Sequence, residues 1–124
     1  MARVSLVRLR RSADGALVCE RCEIPETSFG RMRGLLGRDG LEPGSGMLID
    51  RAPSVHMFFM RFPIDVVFVD RDLKVVKVVE RLRPWRIASA RHAAAALELP
   101  AGAAAAAGVD VGDILAIEDL SKYP

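Results

Sequence analysis

The stretch from Val55 to Asp70, VHMFFMRFPIDVVFVD, constrains the fold of this chain more than any other part of the sequence. It holds four of the five Phe residues, two of the five Met residues and one of the two His residues. Short apolar runs rich in β-branched and aromatic residues predict buried strands, and Pro63 cannot donate to a strand ladder. The stretch therefore predicts two central strands, Val55 to Phe62 and Ile64 to Asp70, joined by a turn.

Three polar side chains, His56, Arg61 and Asp65, interrupt this apolar stretch. Successive side chains of a strand point to opposite faces, and both faces of Val55 to Phe62 are largely apolar. We therefore expect that segment to lie inside a two-layer packing. Because an isolated buried carboxylate is costly, we also expect Asp65 to contact an arginine.

The length of 124 residues predicts a single domain, residues 1–124, that is large enough to bury a normal core. A hydrophobic fraction of 51% with 27% charged residues predicts a folded, soluble protein. Eighteen Lys and Arg residues are nearly balanced by sixteen acidic residues, and the net charge of +2 supplies no overall field for gripping nucleic acid. Any anion-binding site is therefore expected to be local.

The N-terminal residues 1–15 lack the apolar core and the small-residue cleavage pattern of a signal peptide. No run approaches the roughly eighteen consecutive apolar residues of a membrane-spanning helix. The two Cys residues are therefore expected to be reduced thiols in a cytoplasmic protein. A chain trimmed of an export signal would look the same.

Short β-like runs separated by turn residues make up most of the remaining chain. Asp14-Gly15 predicts a hairpin turn between Val4 to Arg11 and Leu17 to Ile24. Further strands are predicted at Met47 to Ile49, Leu73 to Arg81, Ala95 to Leu99 and Ile114 to Glu118. Together these runs predict a mainly β fold, a compact antiparallel sandwich or barrel with one or two short helices.

Two segments have helical character. Apolar residues recur at helical spacing after Pro25 and end near Gly37, and five Ala residues lie between Gly102 and Gly108.

An irregularity is expected in the strand after Asp72. Lys74 and Lys77 are three residues apart, so a regular strand would send their side chains to opposite faces. A β-bulge between these two lysines would return both side chains to one face.

Cys19-Glu20-Arg21-Cys22 has the spacing of a redox or zinc motif. In a regular strand, however, a separation of three residues sends the two sulfurs to opposite faces. His56 and His92 complete the set of soft or borderline ligands, but their spacing does not match a zinc module. We therefore predict no metal and no cofactor.

The loop Arg81 to Arg86 combines three arginines, Arg81, Arg83 and Arg86, with Trp85, which is the only Trp of the chain. Such a combination suits stacking and phosphate contact, and weak binding of an anion or RNA is one hypothesis. The alternative is a Trp that covers the core with solvated arginines around it. Salt-dependent affinity distinguishes the two.

Six short blocks stand in an order that is specific although each block alone is weak. They are Arg33-Gly34-Leu35-Leu36-Gly37-Arg38, Gly46-Met47-Leu48-Ile49, His56 with Met60, Pro63-Ile64-Asp65 with Phe68, Leu97-Glu98-Leu99-Pro100-Ala101-Gly102, and Gly112-Asp113. The ordered set, over about residues 16 to 119, resembles the domain-of-unknown-function family numbered 192. The resemblance implies a compact, mostly β domain that is widespread in bacteria and archaea, with no established activity. Many members carry an aromatic residue and a following Lys-Asn-Thr where this chain has His56 and Arg61-Phe62.

The leading hypothesis for function is a ligand-binding or structural role of the segment from His56 to Asp65. The candidate binding residues are His56, Met60, Arg61, Asp65 and Arg33. An alternative is a small hydrolase or isomerase with His56 as general base, oriented by Asp65 or Glu98, and with Arg33 or Arg61 stabilising negative charge. That alternative requires His56 and a carboxylate to meet in an open pocket. The sequence leaves the ligand and the oligomeric state undefined.

Overall fold

Residues 4–27 and 34–120 are described by a computed structural model, in which they form nine strands and one short helix. The elements are β1 (Val4–Arg11), β2 (Leu17–Pro25), β3 (Ser45–Asp50), β4 (Ser54–His56), β5 (Ile64–Val69), β6 (Val75–Leu82), β7 (Ile87–Ser89), β8 (Ala95–Pro100), α1 (Ala103–Ala106) and β9 (Leu115–Asp119). The predicted mainly β fold is confirmed. The helix predicted between Pro25 and Gly37 lies largely in residues 28–33, outside the described part of the chain.

Seven strands form one sheet in the order β6-β5-β8-β3-β2-β1-β9, and β4 pairs with β7 in a second, small sheet. All strand pairs are antiparallel except β2 and β3, which run parallel. A parallel pair needs a crossover rather than a hairpin, and the chain between Pro25 and Ser45 makes that crossover. The large sheet is therefore mixed, whereas the sequence pattern predicted an antiparallel one.

The outer strands of the large sheet approach each other at one end only. Lys74 and Ile114 form an isolated bridge, and the Leu115 amide donates a 2.9 Å hydrogen bond to the Leu73 carbonyl. The sheet is thus curled, but within the described residues no full ladder closes it into a barrel.

Apolar side chains cover both faces of the sheet. Alternate residues of β5 enter two separate clusters, Val67 and Val69 on one face and Val66 and Phe68 on the other. All six residues of β5 are buried, because α1 lies against the first face and the small sheet against the second. A strand that is buried on both faces reads as a continuous apolar run, as this one does apart from Asp65.

The predicted strand from Val55 to Phe62 is wrong beyond its first residues. β4 ends at His56, and the backbone turns through Phe59 with a left-handed φ of 64°. Phe58 and Phe59 are exposed, so this half of the segment lies at the surface and not inside a two-layer packing. The predicted strand after Pro63 is confirmed.

Several β-bulges in β2 and β6 change which side chains share a face. Between Lys74 and Lys77 the register of β6 gains one residue against β5, which confirms the bulge predicted there. A second bulge lies in β2, where Cys19 and Cys22 pair with Leu9 and Val7. The prediction that the two sulfurs face opposite sides is therefore wrong, and both Cys residues lie in one core cluster.

None of the helices formed by the described residues is long and apolar enough to cross a membrane.

Candidate functional site

Two loops that are distant in sequence meet at one end of the small sheet. The Trp85 amide donates a 2.7 Å hydrogen bond to the Met57 carbonyl, and the Met57 amide donates one of 2.8 Å to the Arg86 carbonyl. Met57 and Met60 are 1% and 9% exposed, so their side chains anchor the first loop in the core. This anchoring turns the intervening side chains, Phe58 and Phe59, outward.

The outward-facing rings form a continuous surface, here called the aromatic platform, which consists of His56, Phe58, Phe59 and Trp85. Ring centroids are 5.0 Å apart for His56 and Phe58, 6.0 Å for Phe58 and Trp85, and 4.8 Å for Phe59 and Trp85. Phe59 and Trp85 are 72% and 58% exposed, and Ile87 at the platform edge is 63% exposed. An apolar surface of this kind is typical of a binding site.

The backbone under the platform is strained. Phe59 has a φ of 64° and Trp85 a φ of 71°, and bulky residues rarely adopt the left-handed region. Each such residue costs on the order of 1 kcal/mol or more, and such strain clusters at functional sites. The two most exposed rings of the platform are therefore also the two whose backbones are strained.

His56 joins the platform to a cleft of about 310 Å³. The cleft is lined by Gly34, Leu35, Leu36, Ile49, Asp50, Arg51, Ala52, Pro53, Ser54, Val55, His56 and Met60. His56 is exposed, and no hydrogen bond from the described residues reaches its ring nitrogens. The carboxylate that shares this cleft is Asp50, whose Oδ1 accepts a 2.9 Å hydrogen bond from the Arg51 amide.

Asp65 lies fully buried in β5 and binds backbone amides on two elements. Its Oδ1 accepts a 2.9 Å hydrogen bond from Arg81, and its Oδ2 accepts bonds of 3.1 Å from Gly102 and 2.9 Å from Ala104. The expected pairing of Asp65 with an arginine is therefore wrong among the described residues, because backbone amides, one of them that of Arg81, bind the carboxylate and no guanidinium does. These amides are available to Asp65 for two reasons. A bulge in β6 removes the Arg81 amide from the strand ladder. The first amides of α1 have no acceptor within the helix.

Glu98 lies in β8 between Met47 of β3 and Val66 of β5 and is 8% exposed. Desolvation by burial raises the pKa of its carboxyl from 4.5 to about 7. No hydrogen bond or ion pair from another described residue reaches this side chain. Glu98 is thus a buried acid that takes up a proton near neutral pH.

The remaining predicted site residues lie apart. Arg61 is exposed and pairs with Asp39 at 2.7 Å, and Arg33 is outside the described residues. The structure brings His56 and Met60 to one cleft, while the described contacts link neither Asp65 nor Glu98 to His56. The described arrangement therefore offers an accessible imidazole without a hydrogen-bonded carboxylate.

Cys19 and Cys22 are free thiols, and their Sγ atoms donate hydrogen bonds of 3.6 Å to the Gly44 carbonyl and 3.7 Å to the Glu23 carbonyl. The two side chains also interact with each other. This contact lowers the pKa of Cys19 and raises that of Cys22, which burial raises further. Both side chains are at most 1% exposed, and among the described residues no group of three or more His, Cys, Asp and Glu is placed to hold a metal ion. His56 and His92 are exposed elsewhere on the surface.

Phe58, Phe59 and Ile87 belong to the candidate site, although the sequence pattern singled out none of them. An apolar doublet such as Phe58-Phe59 has the same composition whether it lies in a buried strand or on an exposed turn. Trp85 carried a signal, because a single Trp in a basic loop suits stacking. Its connection to His56 arises from loop contacts that no local pattern encodes.

The fold and the site together define a small, curled β-sheet domain with an exposed aromatic platform at one end. Residues 9–117 match the family DUF192, described as "Uncharacterized ACR, COG1430". This chain belongs to that family, as the ordered sequence blocks predicted.

Curated relatives of this chain are archaeal. A UPF0127 protein of Thermococcus sibiricus is 33% identical over 98 residues, which cover 75% of this chain and 63% of the relative. A UPF0127 protein of Pyrococcus abyssi is 44% identical over 61 residues, which cover 48% of this chain and 51% of the relative. The chain thus spans less than two thirds of the length of either protein.

Two solved structures have the same fold. A Sinorhizobium meliloti protein, provisionally described as a transcription regulator, matches with a TM-score of 0.80 and 28% identity over 94% of this chain and 95% of its own. A Novosphingobium aromaticivorans protein of unknown function matches with a TM-score of 0.76 and 26% identity over 91% of this chain and 84% of its own.

Proposed function

We propose that this protein is a binding domain whose ligand-contacting surface is the aromatic platform, and that the ligand presents a ring face, either that of a planar base or the apolar C–H face of a sugar. The observation that carries the proposal is the exposure of Phe59 and Trp85, whose rings lie 4.8 Å apart on strained backbone. Exposed aromatic rings supply large contact area, and flat ligand rings stack on them.

The backbone hydrogen bonds between the two loops support this proposal, because they hold the aromatic platform in an ordered arrangement. The hydrogen bonds between Met57, Trp85 and Arg86 hold the two loops together before a ligand arrives. A surface that is already ordered loses little conformational entropy on binding. The strain at Phe59 and Trp85 is offset by this network and by the anchors Met57 and Met60.

His56 lies where the aromatic platform meets the cleft, and it offers both a ring face and hydrogen-bonding nitrogens to a ligand. Its neutral imidazole offers one donor and one acceptor. A ligand ring on the platform would place its polar edge toward the cleft, where the Asp50 carboxylate also lies. This arrangement supports binding, because it places an imidazole and a carboxylate where they can hydrogen-bond the polar edge of a ligand.

Trp85 supplies a direct test, since it is the only Trp of the chain. Titration with adenosine and, separately, with cellobiose should change the fluorescence of Trp85 in a saturable way for at least one of the two probes. Phe59→Ala retains the Trp reporter and should weaken that binding about fivefold or more. Ile117→Ala, which removes an exposed apolar side chain on β9, is the matched control and should bind as the parent chain does. Fluorescence that neither probe changes would refute the proposal.

We also propose a cytoplasmic location, for which the two free, buried thiols provide support.

A further inference from the structure

The two loops that build the aromatic platform are strongly basic. Segments 56–62 and 81–87 contain four arginines, Arg61, Arg81, Arg83 and Arg86, and no acidic residue. The chain as a whole has a net charge of only +2, so positive charge is concentrated at this end. Within the described residues Arg61 is paired with Asp39, whereas no ion pair reaches Arg83 or Arg86.

Arg83 and Arg86 lie on either side of Trp85 in the loop, and both are exposed. The Arg86 amide donates a 3.2 Å hydrogen bond to the Arg83 carbonyl, which makes a tight turn around the Trp. Two arginines that have no ion pair with another described residue therefore flank Trp85 along the loop. Flat rings flanked by unpaired arginines are complementary to a ligand that carries both planar rings and negative charge.

We infer that the ligand of the aromatic platform is single-stranded nucleic acid, with bases stacked on Phe58, Phe59 and Trp85 and phosphates near Arg83 and Arg86. This inference rests on the proposed function and names the ligand class of the same site. Single strands expose the faces of their bases, whereas a duplex keeps them stacked inside. The rings are tilted against each other by 31° for His56 and Phe58, 34° for Phe58 and Trp85, and 59° for Phe59 and Trp85, so they do not lie in one plane. The flexible backbone of a single strand lets successive bases meet rings of different orientation.

The test is fluorescence anisotropy with a labelled oligouridine of about twelve nucleotides, measured on the full chain at about 50 and 200 mM salt. With two arginines at phosphates, binding should weaken about sevenfold over that range. Arg83→Ala combined with Arg86→Ala should weaken binding at low salt and remove most of the salt dependence. Trp85→Ala should weaken binding about tenfold, with its salt dependence retained.

The matched charge control is Arg71→Ala combined with Arg91→Ala, which removes two exposed arginines from other turns and should change binding less than twofold. A duplex of the same length should bind more weakly than the single strand. Binding that ignores salt, that survives Trp85→Ala unchanged, or that prefers the duplex would overturn the inference. Anionic phospholipid vesicles that bind while the oligonucleotide does not would assign the surface to a membrane and overturn it too.

Failure here is separable from failure of the proposed function. If adenosine or cellobiose changes Trp85 fluorescence but the oligonucleotide does not bind, the nucleic-acid inference fails and the platform remains a ring-binding surface. If neither the small probes nor the oligonucleotide act on Trp85, both fail. Urea unfolding of each variant identifies any loss of binding that is a loss of folding.

Discussion

The backbone amide of Trp85 donates its hydrogen bond to the carbonyl of Met57, so an exposed ring is held in place by a core residue. Met57 is 1% exposed, and its side chain packs in the cluster that also contains Ile64 and Phe68. Folding is therefore supported by Met57, while the Trp85 side chain points into solvent. The two side chains can be removed separately, which separates a structural role from a binding role.

Trp85→Ala should change the free energy of unfolding by less than about 1 kcal/mol, because the side chain is mostly exposed. Met57→Ala should cost about 2 to 5 kcal/mol, since it leaves a cavity in the core. Urea unfolding measures both changes. A loss from Trp85→Ala as large as that from Met57→Ala would mean that the Trp serves the fold rather than a ligand.

Asp65→Asn should destabilise the protein by about 2 to 4 kcal/mol. The Oδ2 atom accepts bonds from Gly102 and Ala104, and an amide nitrogen placed at either end would face a donor. Asp72→Asn is the control, because Asp72 is exposed on a turn and its loss of charge should change stability by less than about 0.5 kcal/mol. Equal denaturation midpoints for the two variants would contradict the role assigned to Asp65.

Glu98 should make the protein less stable as pH rises. In the folded state its pKa is about 7 and in the unfolded chain about 4.5, so the folded state holds the proton more tightly between these values. Stability should therefore fall by on the order of 3 kcal/mol as pH rises through that window and level off above about pH 7.

Glu98→Gln cannot ionise and should lose this pH dependence. Relative to the parent, Glu98→Gln should therefore become more stable by about 3 kcal/mol of unfolding free energy as pH rises from 4 to 8. Glu80→Gln, at an exposed position on β6, should show no such shift. A difference that stays constant across this pH range would show that Glu98 ionises normally.

Gly46→Ala should destabilise the protein by about 1 to 3 kcal/mol through overpacking. A Cβ at this position would lie 2.8 Å from the Cys19 sulfur and 3.0 Å from the Glu98 carbonyl oxygen. Gly40 offers a matched control, since a Cβ there meets nothing within 4 Å. A lower midpoint of thermal unfolding for Gly40→Ala than for Gly46→Ala would contradict the close packing of β2, β3 and β8.

Much of the fold is predictable from local pattern. β5 is apolar at every position except Asp65 and is buried on both faces, so burial and pattern agree along most of the strand. The bulge between Lys74 and Lys77 also has a local signal, because two exposed charged residues of unequal parity cannot share a regular strand face. The Asp14-Gly15 turn has a local signal too, because glycine readily adopts the left-handed φ that such a turn requires and that Gly15 has in the structure.

The candidate site is less predictable, because it depends on contacts between distant segments. The bulge in β2 inserts its extra residue opposite Arg8, and no feature of Cys19 to Cys22 indicates it. The exposed turn at Phe59 is fixed by hydrogen bonds between the loops at Met57 and Trp85 and not by its own composition. Asp65 was correctly expected to need a partner, but the amide it binds became available only through the bulge at Arg81.

Nuclear magnetic resonance of the ¹⁵N-labelled protein during separate titrations with adenosine and with cellobiose tests most directly whether the aromatic platform is a binding surface. The account predicts saturable shifts of the backbone amides of residues 56–60 and 85–87 and of the Trp85 indole N–H, with little change at β9 on the far edge of the large sheet. Shifts confined to residues outside these loops, or no shifts at any concentration of either probe, would contradict it.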